Sequence, residues 1–154
     1  MRVTVRTEGF AELERALDQL GKAATQKATL RRAATKALQP VADMAQSLAP
    51  RLTGALQLSV GVGTRLSRRQ AGLHRRMFRD DRAAVEVFAG AGPLAQATQS
   101  EFGNRDQASQ PFLRPAWDAE GRATLDRLAT EMWAEIQRTA ARQARRAARL
   151  AAKG

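Results

Sequence analysis

The sequence predicts an α+β domain: a small, mostly antiparallel sheet packed against two or three helices, with a long C-terminal helix. Three observations carry this expectation. Short stretches alternate apolar and polar residues, with Val3 and Val5 in "RVTVR" and Val85 and Val87 in "AVEVFAG". Residues 25–48 carry one apolar stripe at helical spacing, and a second stripe runs from Leu125 to Ile136. Period-two alternation marks half-buried strands, and the 3-and-4 spacing marks one face of a helix.

"RVTVR" reads as a first strand with one buried face. "GFAELERALDQLG" follows, with Phe10, Leu13, Leu17 and Leu20 on one helical face and Gly21 as its stop. The next helix runs from about Thr25 to Leu48 along Leu30, Ala34, Ala37, Leu38, Val41, Ala45 and Leu48. Pro40 lies inside it and predicts a kink, because proline removes a backbone donor and crowds the preceding turn. Ala49-Pro50 ends it.

Thr53 is then a candidate cap, leading to a strand on which Val60 and Val62 point one way. "AVEVFAG" pairs with it as a second strand. The stretch between them, about 66–82, reads as a long basic loop, a length that usually means function or disorder. Gly90, Gly92 and Pro93 turn the chain into a short helix, "LAQATQSEF", closed by Gly103-Asn104. A long helix follows Trp117 with Asp118 as its expected cap, and Leu125, Leu128, Met132 and Ile136 face the core. Residues 1–136 thus form one domain, and 137–154 an Ala/Arg-rich helical extension with little apolar area to bury.

Composition narrows the function classes. The chain has 154 residues, no cysteine and a net charge of +11. Disulfides and thiolate chemistry are therefore excluded. No window approaches 18 uninterrupted apolar residues, which argues against a membrane span. The N-terminus lacks the apolar core of a signal peptide, so a cytoplasmic chain is expected. The charge is clustered. Five cations and no acid lie between Asp18 and Asp43, seven arginines lie between Arg65 and Arg82, and no acid follows Glu135. Such patches attract polyanions by counterion release.

No residue set supports catalysis, a cofactor or a metal. "GAGPLA" at 90–95 formally fits a dinucleotide fingerprint, but no second parallel strand or ribose-binding acid follows it. His74, the single histidine, sits among arginines without a nucleophile or orienting partner and reads as a surface residue. Glu12 with Glu14, and Asp80 with Asp81, are adjacent acids of a kind that does not span a cleft. Base stacking needs aromatics interleaved with cations. The basic stretches hold only Phe78, and no helix-turn-helix or zinc-finger spacing occurs. This speaks against sequence-specific DNA binding and leaves nonspecific contact open.

The densest stretch is "SEFGNRDQASQPFLRPAW", 100–117. Its two prolines in "PFLRPAW" stiffen a short segment and lower the entropy lost on docking. Phe112, Leu113 and Trp117 suit a pocket and Arg114 a carboxylate, a common interface mixture. Phe112 and Leu113 filling the domain's own core is an equally open reading.

Several landmarks coincide in order: "APRLTGALQLSV", a strand ending in Ala-Gly, "EFG", and "PFLRPA" opening a last helix. From Gly9 to Trp133 the chain resembles the tail-completion or neck proteins of long-tailed bacteriophages, related to minor tail proteins at the head–tail junction. The Ala/Arg tail lies outside the shared pattern. The resemblance implies a non-enzymatic virion protein, made in the host cytoplasm and forming a ring between the head connector and the tail tube. Its implied partners are other copies of itself, the head-completion ring, and the tail terminator or tail-tube proteins. The expected assembly contacts are Glu101, Phe102, Pro111, Phe112, Leu113, Arg114, Pro115 and Trp117. DNA crossing such a ring makes Arg65, Arg68, Arg69, Arg75, Arg76 and Arg79 candidate DNA-facing residues. A tail-terminator role and a nonspecific nucleic-acid-binding protein are the alternatives.

Overall fold

The computed structural model describes residues 10–51, 54–79 and 85–152. The predicted strand "RVTVR", the cap at Thr53 and the Asp80-Asp81 pair lie outside them. In chain order the elements are α1 (Phe10–Asp18), α2 (Ala23–Leu48), α3 (Ala55–Ser59), β1 (Gly61–Gly63), α4 (Arg68–Met77), β2 (Phe88–Gly90), α5 (Ala95–Phe102) and α6 (Leu113–Ala151). The chain is mostly helical, and its described sheet is a two-stranded antiparallel ladder. The described sheet is small and antiparallel, as predicted, and the helices are more numerous than predicted.

Two long helices form the frame. α2 and α6 lie antiparallel, with Thr29 bonded to Thr139 near one end and Arg32 to Glu135 inboard of it. At the other end Val41 and Ala45 share a cluster with Phe112 and Ala116. The buried residues of α2 are small: Thr29, Ala33, Ala37, Val41, Ala42 and Ala45. The face is thus rotated from the predicted stripe, leaving Leu30, Ala34 and Leu38 half-buried and Leu48 exposed. Alanines on that line let α6 lie close, and larger residues pack at the flanks. α2 remains one helix through Pro40.

The core has two parts. At the far end Leu13 of α1 and Leu20 just after it pack with Ala33, Met132 and Ile136. Near the start of α6, Val41, Ala45, Leu56, Val60 and Ala116 surround Phe112. The sheet flanks this second part, pairing Gly61 with Gly90, Val62 with Ala89 and Gly63 with Phe88. Val60 is the cap residue of α3 rather than part of a strand, and Val85 and Val87 precede β2.

Two further expectations need correction. The basic segment holds a helix, α4, where a loop was predicted. Ser67 caps it: its hydroxyl accepts from the Gln70 N–H, while the Gln70 side chain accepts from the Ser67 N–H. This reciprocal pair satisfies two donors that a helix start otherwise leaves open. The long helix begins at Leu113, not after Trp117, so Asp118 lies inside it and caps nothing. Leu125 and Trp133 also face outward. Beyond Thr139 the helix runs on as exposed residues to Ala151.

Candidate assembly surface

The stretch from Ser100 to Trp117 is built around one carboxylate. α5 ends at Phe102, and Gly103 turns the chain with φ of +74°. A Cβ there would meet the Ser109 nitrogen at 2.9 Å and the Gln107 oxygen at 3.0 Å, so glycine is required on both counts. The Gln110 N–H returns to the Ser100 carbonyl at 2.7 Å. That closure brings Phe112 over the core and aims the start of α6 at Glu101.

A helix start leaves four backbone donors without intrahelical partners. Here all four are accounted for. Glu101 Oε2 accepts from the Phe112 and Leu113 N–H groups at 2.9 and 3.0 Å, and Oε1 accepts from Arg114 at 3.0 Å. The next residue is Pro115, which has no N–H to satisfy. Burial would raise the Glu101 pKa. The three backbone bonds and the Arg114 charge outweigh it, and the carboxyl ends up below its ordinary value. Its negative charge also sits at the positive end of the helix dipole.

Glu101 is thus engaged inside the chain, and Phe112 is fully buried. The core reading of Phe112 holds, and in the folded monomer its side chain is not at the surface. Leu113 and Pro115 are half-buried, whereas Phe102, Pro111, Arg114 and Trp117 are exposed. Trp117 is 53% exposed and lies over Gly121, where a Cβ would come within 3.1 Å of the indole. The ring is therefore laid along its own helix by the absence of a side chain four residues on.

Beside it opens an apolar groove of about 660 Å³ between α2, α6 and the segment entering β2. Leu38, Val41, Val87, Leu113 and Trp117 line it, with Arg114 among them. We expect Glu101→Ala to cost about 1–2 kcal/mol, since it frees three donors at once. Trp117→Ala should cost less than about 1 kcal/mol, as a half-exposed residue. Urea unfolding of the two variants side by side checks the order.

The candidate DNA-facing arginines are arranged differently. Arg68, Arg69, Arg75 and Arg76 lie on α4, flanked by Arg65 and Arg79, and all six are exposed. None has an ion pair among the described residues. α4 buries no residue, and Leu73 and Met77 are exposed on it. His74 is not the surface residue expected. It stacks at 4.8 Å from Phe78 and edge-on at 5.3 Å from Phe88, with Nε2 3.7 Å from a Glu86 oxygen. These contacts attach α4 to β2.

One cluster was not anticipated. Glu135, buried between α2 and α6, accepts from Lys36 Nζ at 2.6 Å, Arg32 Nε at 2.8 Å and Arg138 at 2.9 Å. The bonds from Lys36 and Arg32 overcome burial and, with Arg138, hold its pKa at about 2. Arg32 also donates to Thr29 and Thr139. The cluster fixes how the long helices sit against each other, and its groups are consumed by one another. Among the described residues no group of acids and histidine could hold a metal, and no helix is long and apolar enough to cross a membrane.

No curated protein and no solved structure matches the chain significantly. A family model described as "Bacteriophage HK97-gp10, putative tail-component" matches residues 11–103. That span runs from α1 through α5 and ends on Gly103, two residues after the carboxylate that caps α6. It covers more than half of the chain, and with the landmarks from Pro50 to Gly103 inside it, the chain belongs to the HK97-gp10-like family of phage tail components.

Proposed function

We propose that this protein is a structural component of the bacteriophage neck, forming a ring that joins the head connector to the tail tube. The observation that carries the reading is the open groove beside α6. It combines an apolar floor, a half-exposed tryptophan and an arginine that makes no side-chain ion pair among the described residues. Tryptophan and arginine around an apolar centre are the residues that dominate protein–protein contacts. The groove takes an apolar segment of a neighbouring virion protein, and Arg114 pairs with a carboxylate on it. Ring symmetry repeats the contact, so that each copy needs only modest affinity. Partners are other copies of the chain, the connector ring above, and the tail terminator or tail tube below. The tail-terminator role uses the same surface and differs in which ring occupies the groove.

Arg114→Ala separates docking from folding, because the Glu101 cap uses the Arg114 backbone and leaves the side chain exposed. We expect wild-type stability within about 0.5 kcal/mol for this surface change. In complementation of a phage lacking this gene, electron microscopy should show unjoined heads and tails. Normal numbers of joined particles from a stably folded Arg114→Ala protein would remove the groove from the assembly contact.

A further inference from the structure

Beyond Gln143 the C-terminal end of α6 buries nothing in the folded chain. The Gln143 side chain donates to the Leu20 carbonyl at 3.1 Å, tying α6 to the end of α1. From Ala140 to Ala152 every residue is exposed, yet the helix continues to Ala151. Alanine and arginine are both strong helix formers, so intrinsic propensity and continuity with the packed part of α6 sustain it.

Its faces are unequal. At 3.6 residues per turn, Arg138, Arg142, Arg145, Arg146 and Arg149 fall within roughly 100° of one another around the axis. The rest of the surface carries Ala140, Ala141, Ala144, Ala147, Ala148 and Ala151. The two nearest carboxylates are already occupied, Glu131 by Lys36 and Glu135 by three cations. Arg145, Arg146 and Arg149 have no partner among the described residues. α2 adds Lys27 and Arg31, both exposed, on either side of the Thr29 that bonds Thr139.

We propose that this arginine face is a sequence-independent contact for the phosphate backbone of duplex DNA. The chemistry selects among anionic partners. A protein contact needs an apolar centre, and the tail offers one apolar residue larger than alanine, Leu150. A contact made of exposed ion pairs alone gains at most about 1 kcal/mol each. Lying in a membrane surface requires a broad face of large apolar residues, which alanines do not supply. Duplex DNA needs none of these. It presents one charge per roughly 1.7 Å of axis, and binding releases condensed counterions. A duplex carries about ten phosphates along the roughly 16 Å from Arg138 to Arg149, and Arg142, Arg145, Arg146 and Arg149 have no carboxylate partner among the described residues.

α4 is the competing surface, with arginines as dense. It differs in exposing Leu73 and Met77 beside them, at 53% and 78%. Cations next to exposed large apolar side chains suit a protein partner. Phosphate contacts use charged and polar donors and gain nothing from exposed large apolar side chains. The tail lies at the opposite end of α6 from Arg114 and Trp117, which separates it from the assembly contact.

The test uses fluorescence anisotropy with labelled duplexes of two unrelated sequences, between about 50 and 200 mM salt. The wild-type protein should bind both sequences alike, with a steep salt dependence. The combined Arg145→Gln, Arg146→Gln and Arg149→Gln variant should lower the log–log salt slope by about 2.7, at 0.9 per lost contact, and weaken binding at least tenfold. Glutamine keeps the helix, and circular dichroism confirms it. Truncation after Gln143 should have the same effect without touching the core. The comparison variant, with Arg68, Arg69, Arg75 and Arg76 replaced by Gln, should lose less affinity than either. The proposal is overturned by absence of wild-type binding at low salt or by a clear preference for one sequence. Unchanged binding in either tail variant, or a larger loss from the α4 variant, overturns it as well.

Discussion

Phe112→Ala is expected to lower the unfolding free energy by about 3–5 kcal/mol, the range for deleting a buried aromatic ring. Phe112 is fully buried and sits among Val41, Ala45, Leu56, Val60 and Ala116, which come from α2, α3 and α6. Those neighbours are small or held in separate elements, so they cannot close over the space. The alanines of α2 already lie against α6 and have no longer side chain to swing in. In a chain of this size the loss corresponds to roughly 6–20 °C in thermal midpoint. Urea unfolding measures it directly, as a lower midpoint at unchanged slope. A loss below about 1 kcal/mol would mean that this part of the core collapses freely, which the packing around Phe112 contradicts.

Glu135→Ala is expected to cost about 2–3 kcal/mol at pH 7, and the cost should vanish in acid. The folded-state pKa of Glu135 is depressed from 4.5 to about 2. The unfolded chain therefore takes up the proton more readily, and stability from this group is fully present above pH 4.5. It is lost as the pH falls from there through about 2. A shift of this size converts to about 3 kcal/mol at most. Arg32 and Lys36 are 40% and 44% exposed, and solvent screening of these partners brings the value nearer 2. The alanine variant adds the cost of leaving Arg32 and Lys36 facing each other without their shared anion. Unfolding curves of the two proteins at several pH values should converge between pH 4.5 and 2. Curves that stay parallel would show that Glu135 matters for packing and not for its charge.

Much of the architecture was legible in the residues, and the failures share a cause. α1 and α2 are marked by local periodicity, and their ends follow from Gly21 and Pro50. α4 was also legible: "SRRQ" places a serine three residues before a glutamine, the reciprocal cap found at its start. The density of arginine, and Gly72 in its middle, obscured it. The start of α6 was missed because its cap is not local. Glu101 reaches donors eleven to thirteen residues away, and Pro115, which looks like a barrier, lies in the first turn, where its missing N–H has no intrahelical acceptor to lose. The Glu135 cluster had no local signal beyond Arg138, since Arg32 and Lys36 are about a hundred residues distant. At the candidate surface, the motif residues divide by atom. Glu101, the Phe112 ring and the Pro115 backbone serve folding, and the Arg114 and Trp117 side chains face outward.

The closure around Glu101 sets a limit on how this molecule could be divided. The span matched by the family model ends at Gly103, while the carboxylate at Glu101 is satisfied only by residues after that point. A polypeptide cut there would keep α1 to α5 yet lose the ring that fills their core, and the Glu101 carboxylate would lose its three backbone donors. The portion recognisable by descent is thus shorter than the portion that folds. Exchange of genetic segments between related phages would be tolerated at a junction beyond Gln143, where nothing is buried, and penalised at one placed between Gly103 and Phe112.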